Sequence, residues 1–374
     1  MRHVYVHVPF CARRCSYCDF AIAVRARVPV DEYLGALEGE LTLRLGPAPS
    51  TDARPEIDTL YFGGGTPSRL GAEGVARGVA LVTRWFRLAD GAEVTIEANP
   101  DDVTAGAVAA WRAAGVNRLS LGGQTFDEAA LRWMHRTHDG GQTARAIETA
   151  RAGGIDDLSL DLIFALPSEV PRDWEADVAR ALALGPSHLS LYGLTVEPGT
   201  PLGRWADRGE VGEADEDRYA AEFLHAHEAL AAAGYEHYEV SNFAKPGKRA
   251  RHNSAYWSGA PYLGLGPSAH GFDGTERRWN VAAYASWVRV VAEGRDPVEG
   301  RETLDTEMRT AESVYLGLRT TDGLVLDASE VSRASRWQEA GWAERIGDRL
   351  RLTAPGWLRL DALAADLTVA RSRS

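Results

Sequence analysis

The amino-acid sequence predicts an α/β fold: an incomplete parallel (β/α)6 barrel followed by a mainly helical, winged-helix-like unit at the C-terminal end. Three observations predict it. Apolar strand-like runs alternate with helical patterns six times between Val4 and Tyr192, which is the pattern of a parallel sheet with right-handed crossovers. Most of these runs alternate apolar with polar side chains instead of being apolar throughout, so one face suits a layer of helices and the other a polar lumen. Residues able to do chemistry gather where the runs end, and α/β barrels carry their chemistry at the C-terminal ends of strands.

In order, the first strand is Val4 to Val8, ended by Pro9, with Tyr5 and His7 opposite the three valines. Cys11 to Cys18 follows as a loop. A helix is expected over 30–45, with Asp31 as its N-cap. The second strand, Thr59 to Phe62, breaks at Gly63-Gly64-Gly65-Thr66-Pro67. Glycines there allow positive φ and close approach of backbone to a ligand, or simply a tight turn. After a helix over 71–86, the third strand, Glu93 to Asn99, sets Thr95, Glu97 and Asn99 on the polar face. A helix over 104–114 precedes the fourth strand, Arg118 to Gln124, and two helical segments lie between Asp127 and Gly153. The fifth strand, Leu158 to Phe164, sets Ser159 and Asp161 opposite its leucines. A helix over 171–183 leads to the sixth, His188 to Tyr192. Six strands leave the barrel open at the side. A carboxylate buried in such a lumen is costly unless paired or hydrogen-bonded, so Glu97 and Asp161 need partners, from a polar cofactor or from the protein.

The repeat stops after Pro201. A loop and a long amphipathic helix span 209–233. An aromatic and polar stretch then runs through His252-Asn253-Ser254-Ala255-Tyr256-Trp257; it suits an aromatic mini-core or a wall beside a large flat ligand. Helices over 303–317 and 327–340, a hairpin turning at Gly347-Asp348 and a terminal helix make the winged-helix-like unit. The expected organisation is a partial barrel over 1–205, a barrel extension over 206–298 and a C-terminal unit over 299–374.

A chain of 374 residues is long enough for a barrel-sized domain with an appendage. Its net charge of −12 argues against a general nucleic-acid surface. No basic recognition helix is evident, so the C-terminal unit is read as a packing or partner-binding element. No run of apolar residues is long enough to span a membrane. The apolar run from Val4 to Phe10 is short, interrupted by His7 and leads straight into the cysteines, so no export signal is expected. Reduced cysteines without an export signal fit a reducing, cytoplasmic setting.

Cys11, Cys15 and Cys18 are the only cysteines, spaced C-x-x-x-C-x-x-C. Three cannot form a disulfide framework without leaving one over. A structural zinc site wants four ligands, and cysteines used as core filler would be scattered. A [4Fe–4S] cluster normally takes four thiolates, so three would leave one iron open to an exogenous ligand. Arg13 and Arg14, with no carboxylate before Asp19, keep the loop cationic, which suits thiolates and an anionic ligand.

This cysteine pattern resembles that of the radical S-adenosylmethionine (SAM) superfamily. His7 to Cys11, Tyr17 to Phe20, Gly63 to Ser68, Leu119 to Phe126, Asp161 to Pro167 and His252 to Trp257 narrow the resemblance. They are similar to the oxygen-independent coproporphyrinogen III oxidase group and, within it, to the HemW-type heme chaperones. The resemblance spans nearly the whole chain. It implies that Cys11, Cys15 and Cys18 bind a [4Fe–4S] cluster whose open iron is chelated by SAM. It further implies that Tyr5, Tyr17, Gly64, Gly65, Thr66, Glu97, Gln124, Arg136 and Asp161 fall on SAM-binding positions. Glycine-run backbone would meet the amino-acid part of SAM. Glu97 and Asp161 would accept from its ammonium or ribose hydroxyls, Arg136 would pair its carboxylate and Tyr17 would pack near the adenine. His252 is a candidate heme contact, because imidazole is a common axial ligand.

Two features favour the chaperone over the oxidase. Asp19-Phe20 follows Cys18 where the oxidases carry a further cysteine, and only Met1 to His3 precede the first strand where they carry a long segment. A radical decarboxylase acting on coproporphyrinogen III propionates and a related radical SAM methyltransferase are the alternatives. Gly123 and Thr125 depart from the group, which usually has valine and serine there, and Gly123 is expected to loosen the strand end that positions Gln124. The partners implied are heme and apo-hemoproteins such as respiratory enzymes, with homodimerisation and peripheral membrane association through such clients as further expectations.

Overall fold

Six parallel strands and their crossover helices form the centre of the molecule, whose computed structural model describes residues 1–372. With the small separate pair β2–β3, the elements in chain order are β1 (His3–Val8), β2 (Phe10–Cys11), β3 (Ala23–Val24), α1 (Val30–Leu45), β4 (Glu56–Gly64), α2 (Gly71–Val82), β5 (Arg87–Ala98), α3 (Ala105–Ala113), β6 (Arg118–Gln124), α4 (Glu128–Trp133), α5 (Gly140–Ala152), β7 (Asp157–Phe164), α6 (Trp174–Leu184) and β8 (His188–Gly193). Strands β1, β4, β5, β6, β7 and β8 lie side by side in that order and pair in parallel. The alternation in sequence is the alternation in space. Val4, Val6, Val8, Leu60, Phe62, Ile96, Leu119, Leu121, Leu158, Leu160 and Leu189 are fully buried under the helices, each worth about 1.5–3 kcal/mol of burial. Tyr5, Tyr61, Glu97, Ser120, Ser159 and Asp161 take the opposite face.

The next elements are α7 (Pro201–Asp207), α8 (Glu216–Ala232), β9 (Glu236–Glu239), β10 (Asn242–Ala244), α9 (Arg251–Trp257), β11 (Tyr262–Leu265), β12 (His270–Phe272), β13 (Glu276–Asn280), α10 (Tyr284–Ala292) and β14 (Val298–Thr303). They lengthen the sheet at both edges. β10 and β9 add antiparallel to β8, whereas β11 adds parallel to β1 and is followed by antiparallel β12, β13 and β14. The result is an open twelve-stranded sheet whose ends are β14 and β9. Helix α7 was not expected from the sequence. Thr200 caps it, its hydroxyl accepting from Gly203 N at 2.9 Å, and Pro201 sits in the first turn, a start signal of the ordinary kind.

The C-terminal unit comprises α11 (Thr306–Arg319), β15 (Leu324–Val325), α12 (Val331–Glu339), β16 (Ala343–Ile346), β17 (Arg349–Leu352), α13 (Ala354–Trp357) and α14 (Leu360–Arg371). Its three strands form a separate sheet in the order β15-β17-β16. Trp357 Nε1 donates to Leu318 O at 3.1 Å, and Arg319 pairs at 2.8 Å with Glu239, a fully buried carboxylate on β9. One continuous set of buried apolar side chains runs from Val4 to Leu367. Asp31 is not the cap of α1. Pro29 occupies that position, and the Asp31 carboxylate accepts from Arg77 Nη2 at 2.7 Å. Among the described residues no helix is long and apolar enough to cross a membrane.

Candidate functional site

The cysteine loop leaves β1 at Pro9 and returns through β3, and the parallel β2–β3 pair closes it at its base. Ala23 N donates to Pro9 O at 2.7 Å, and Arg25 N to Cys11 O at 3.0 Å. Ser16 ties the middle of the loop down: its N–H reaches Met134 O at 3.1 Å, and its carbonyl accepts from Leu202 N at 2.8 Å. Cys11, Cys15 and Cys18 are free thiols, all on the wall of one cavity of about 390 Å3 at the C-terminal ends of the strands. Among the described residues no three His, Cys, Asp or Glu side chains converge on a single ion. Thiols spread along one wall suit a polynuclear cluster, in which each takes a different iron. Burial pushes the Cys11 thiol up and the Cys18 thiol to about 11, so binding iron there releases protons.

Opposite the thiols, the cavity carries charges that the protein itself leaves unmatched. Glu97 is half-buried and, among the described residues, makes no ion pair; Tyr61 Oη donates to its Oε1 at 2.8 Å and Gly64 N to its Oε2 at 3.0 Å. Burial pushes its carboxyl up to about 7, only partly offset by those two donors. Asp161 accepts from Ser120 Oγ at 3.1 Å and Ser159 Oγ at 3.3 Å. Burial raises it too, against its serine hydrogen bonds. Arg136 spans this wall. Its Nη2 donates at 2.7 Å to both Asn99 Oδ1 and Gly122 O, its Nη1 lies 3.6 Å from Cys15 Sγ, and its Nε is buried without a partner. Two half-buried carboxylates without a cation, and a buried guanidinium N–H without an acceptor, suit a zwitterion: an ammonium for the acids and a carboxylate for the arginine. Tyr17 lines the same cavity and packs against a small apolar group that includes Met134 and Ile163.

The glycine run meets two demands at once. Gly64 takes φ +111°, and a Cβ there would fall 2.6 Å from the His7 ring; one on Gly65 would fall 2.7 Å from Pro9 O. The run is therefore dictated by the crossing of β1 as well as by the cavity, which Gly64, Gly65 and Thr66 line. Gln124 also lines it, with a left-handed backbone at φ +65°. Gly123, expected to loosen this strand end, sits in a crowded place. A Cβ on it would meet Leu160 Cδ1 at 2.6 Å and Thr143 Cγ2 at 3.3 Å, so the space a valine would need is filled.

The cavity thus brings together Cys11, Cys15, Cys18, Tyr17, Gly64, Gly65, Thr66, Glu97, Gln124, Arg136 and Asp161. It does not include Tyr5 or His252. Tyr5 lies below, its ring stacked 6.1 Å from Tyr61. His252 sits on α9, whose first N–H groups are held by Glu93: Arg251 N at 2.9 Å and His252 N at 3.0 Å. The imidazole is driven into the lumen, stacked 5.0 Å from Tyr61. Its Nδ1 bonds Thr59 Oγ1 at 2.6 Å and its Nε2 bonds Tyr256 Oη at 2.8 Å. Burial lowers its pKa to about 3. Both ring nitrogens are committed and the residue is 1% exposed, so a role as a heme contact would require the imidazole to give up one of these bonds and become accessible.

Sequence reasoning missed part of the rim. Phe20, Ile22, His135 and Leu194 also line the cavity, and Phe20 is 58% exposed. The only signal available was position, beside the third cysteine for Phe20 and before Arg136 for His135.

Comparison with known proteins follows the same lines. Residues 5–181 match the radical SAM superfamily. The chain is 41% identical over 370 residues to a Mycobacterium tuberculosis protein named heme chaperone HemW, covering 97% of this chain and 94% of that one. It is 36% identical to the Bacillus subtilis protein of the same name, over 87% and 85% of the two chains. Among solved structures, coproporphyrinogen III oxidase (HemN) from Escherichia coli, described as a radical SAM enzyme, superposes with a TM-score of 0.79 at 23% identity, over 97% of this chain and 89% of that one; that likeness is one of fold.

Proposed function

From a chain that belongs to the HemW family of radical SAM proteins, we propose a heme chaperone: a protein that binds heme and delivers it to apo-hemoproteins, respiratory enzymes among them. The observation that carries this reading is the 41% identity sustained over 97% of the chain with a relative of that name. Cys11, Cys15 and Cys18 would hold a [4Fe–4S] cluster, and the charged wall would hold SAM. The fit rests on the donor set, three thiols beside one guanidinium, and on the unmatched charges of Glu97, Asp161 and Arg136 Nε. When bound, the cluster supplies an electron-transfer centre and an iron able to chelate the amino-acid end of SAM. The chain's own residues do the rest. Glu97 and Asp161 would accept from the ammonium and ribose side, Arg136 would pair with the carboxylate, and Tyr17 with its apolar neighbours would pack near the adenine.

The experiment is an anaerobic assay of the iron- and sulfide-reconstituted protein with SAM, a reductant and coproporphyrinogen III, with products separated after oxidation. The expected outcome is no protoporphyrin with the cluster confirmed present. Protoporphyrin at catalytic turnover would overturn the reading and make the chain a radical decarboxylase.

A further inference from the structure

Resting on the heme reading, we infer that His135 ligates the iron of a heme held across the mouth of the cysteine cavity. Of the ten histidines in the chain, His135 is the one that lines that cavity. His7, His188, His237 and His252 have both ring nitrogens engaged inside the protein. His138 bonds Gly123 O and is buried. Among the described residues the His135 ring has no hydrogen-bond partner. Its contact is edge-on to Trp205, with centroids 5.7 Å apart at 85°.

The backbone points the same way. His135 closes α4 in the left-handed region at φ +60°, held by its N–H to Arg132 O at 3.0 Å and by Arg136 N to Leu131 O at 2.9 Å. Glycine fits that conformation without strain, and histidine is among the few other residues that adopt it readily, so the turn fixes where the imidazole stands. The surroundings suit a flat ligand. Trp133 packs 5.8 Å from Trp205 beside the imidazole. Phe20 and Tyr192, 58% and 44% exposed, stand on the rim with Leu194. This is an apolar, aromatic border with one uncommitted nitrogen ligand, which suits a flat metal-bearing macrocycle. Arg13, also on the wall, offers a cation to a propionate.

Size decides the pose. A cavity of about 390 Å3 is at the small end for a single drug-sized ligand. It does not enclose a tetrapyrrole above a second cofactor. The ring therefore lies over the mouth, one face toward His135 and the other toward solvent, open to transfer. The bond is a coordinate one: the neutral imidazole nitrogen donates its lone pair to iron, a weak ligand such as water leaves, and no electron is transferred.

The test titrates the full-length, cluster-reconstituted protein with ferric heme and reads the Soret band and the electron paramagnetic resonance of the heme iron. His135→Gly and His135→Asn both tolerate the left-handed backbone, so the fold is kept, and the cluster absorbance and melting temperature check it. The unaltered chain should bind one heme with a nitrogen-ligand signature. Both variants should bind about tenfold more weakly or worse and lose that signature, and added imidazole should restore it in His135→Gly. Parental spectrum and affinity in both variants would overturn the inference, as would a loss that imidazole does not rescue. Failure of the unaltered chain to bind heme is a different result: it removes the heme reading itself.

Discussion

Arg136 Nη1 lies 3.6 Å from the Cys15 thiol while Nη2 of the same guanidinium holds Asn99 Oδ1 at 2.7 Å. One cation therefore joins the cysteine loop to the strand wall, and the two halves of the candidate site are set by a single side chain. Arg13 reinforces the link by donating to Arg136 O at 2.7 Å.

Arg136→Ala should weaken SAM binding by about 10–100-fold, the worth of one or two charge-assisted hydrogen bonds. The three cysteines remain, so cluster absorbance should persist. Isothermal titration on the reconstituted protein measures the first and visible absorbance the second. Unchanged SAM affinity would remove Arg136 from the carboxylate role.

Glu97 gives a pH dependence with a definite sign. Its folded-state carboxyl, pushed to about 7 by burial, holds a proton more tightly than in the unfolded chain. The folded state thus binds more protons, and stability falls as pH rises from the ordinary carboxylate range through about 7. A bound ammonium reverses the preference, so SAM should bind more tightly as pH rises through that range. Glu97→Gln should flatten both profiles, read by thermal melts and titrations across the range. It should also cost some stability, because Gly64 N then faces an amide or loses its acceptor.

His252→Ala should destabilise the fold by about 3 kcal/mol, since it empties a stacked, buried site and strands Thr59 and Tyr256. Heme titration should be unaffected once the variant is compared below its melting temperature. A selective loss of heme binding without loss of stability would reinstate His252 as a ligand.

Gly123→Val restores the residue usual in the group but should cost about 1–3 kcal/mol here, because Leu160 and Thr143 already fill the space. Chemical denaturation measures this. A stabilising effect would show that the strand end is loose after all.

Much of this arrangement was legible in the sequence. The six-fold alternation set each lumen face, so Glu97, Asp161 and Tyr192 were read onto the polar side from strand period alone, and the cysteine spacing marked the strand end that matters. Arg136 and Tyr17 came from resemblance, because an isolated arginine or tyrosine has no local signal. The edge strands β11 to β14 were not legible, since the pairing of β11 with β1, onto which the others build, joins segments far apart in the chain. The surroundings of His252 were not legible for a similar reason. Its local pattern does not reveal that Glu93, on a strand far upstream, holds the first turn of α9 and turns the imidazole inward. His135 carries no pattern at all; its interest arises only from the left-handed backbone at φ +60° and the cavity in front of it.

Heme delivery is tested most directly by measuring transfer. The protein would be loaded with one heme, freed of excess, and mixed with an apo-hemoprotein of the respiratory type whose holo spectrum differs from its own. The client's spectrum should grow in as the chaperone's Soret band decays, faster than with free heme at matched concentration and in the presence of a heme-trapping competitor. Heme that stays on the chain, or reaches the client only through the free pool, would contradict it.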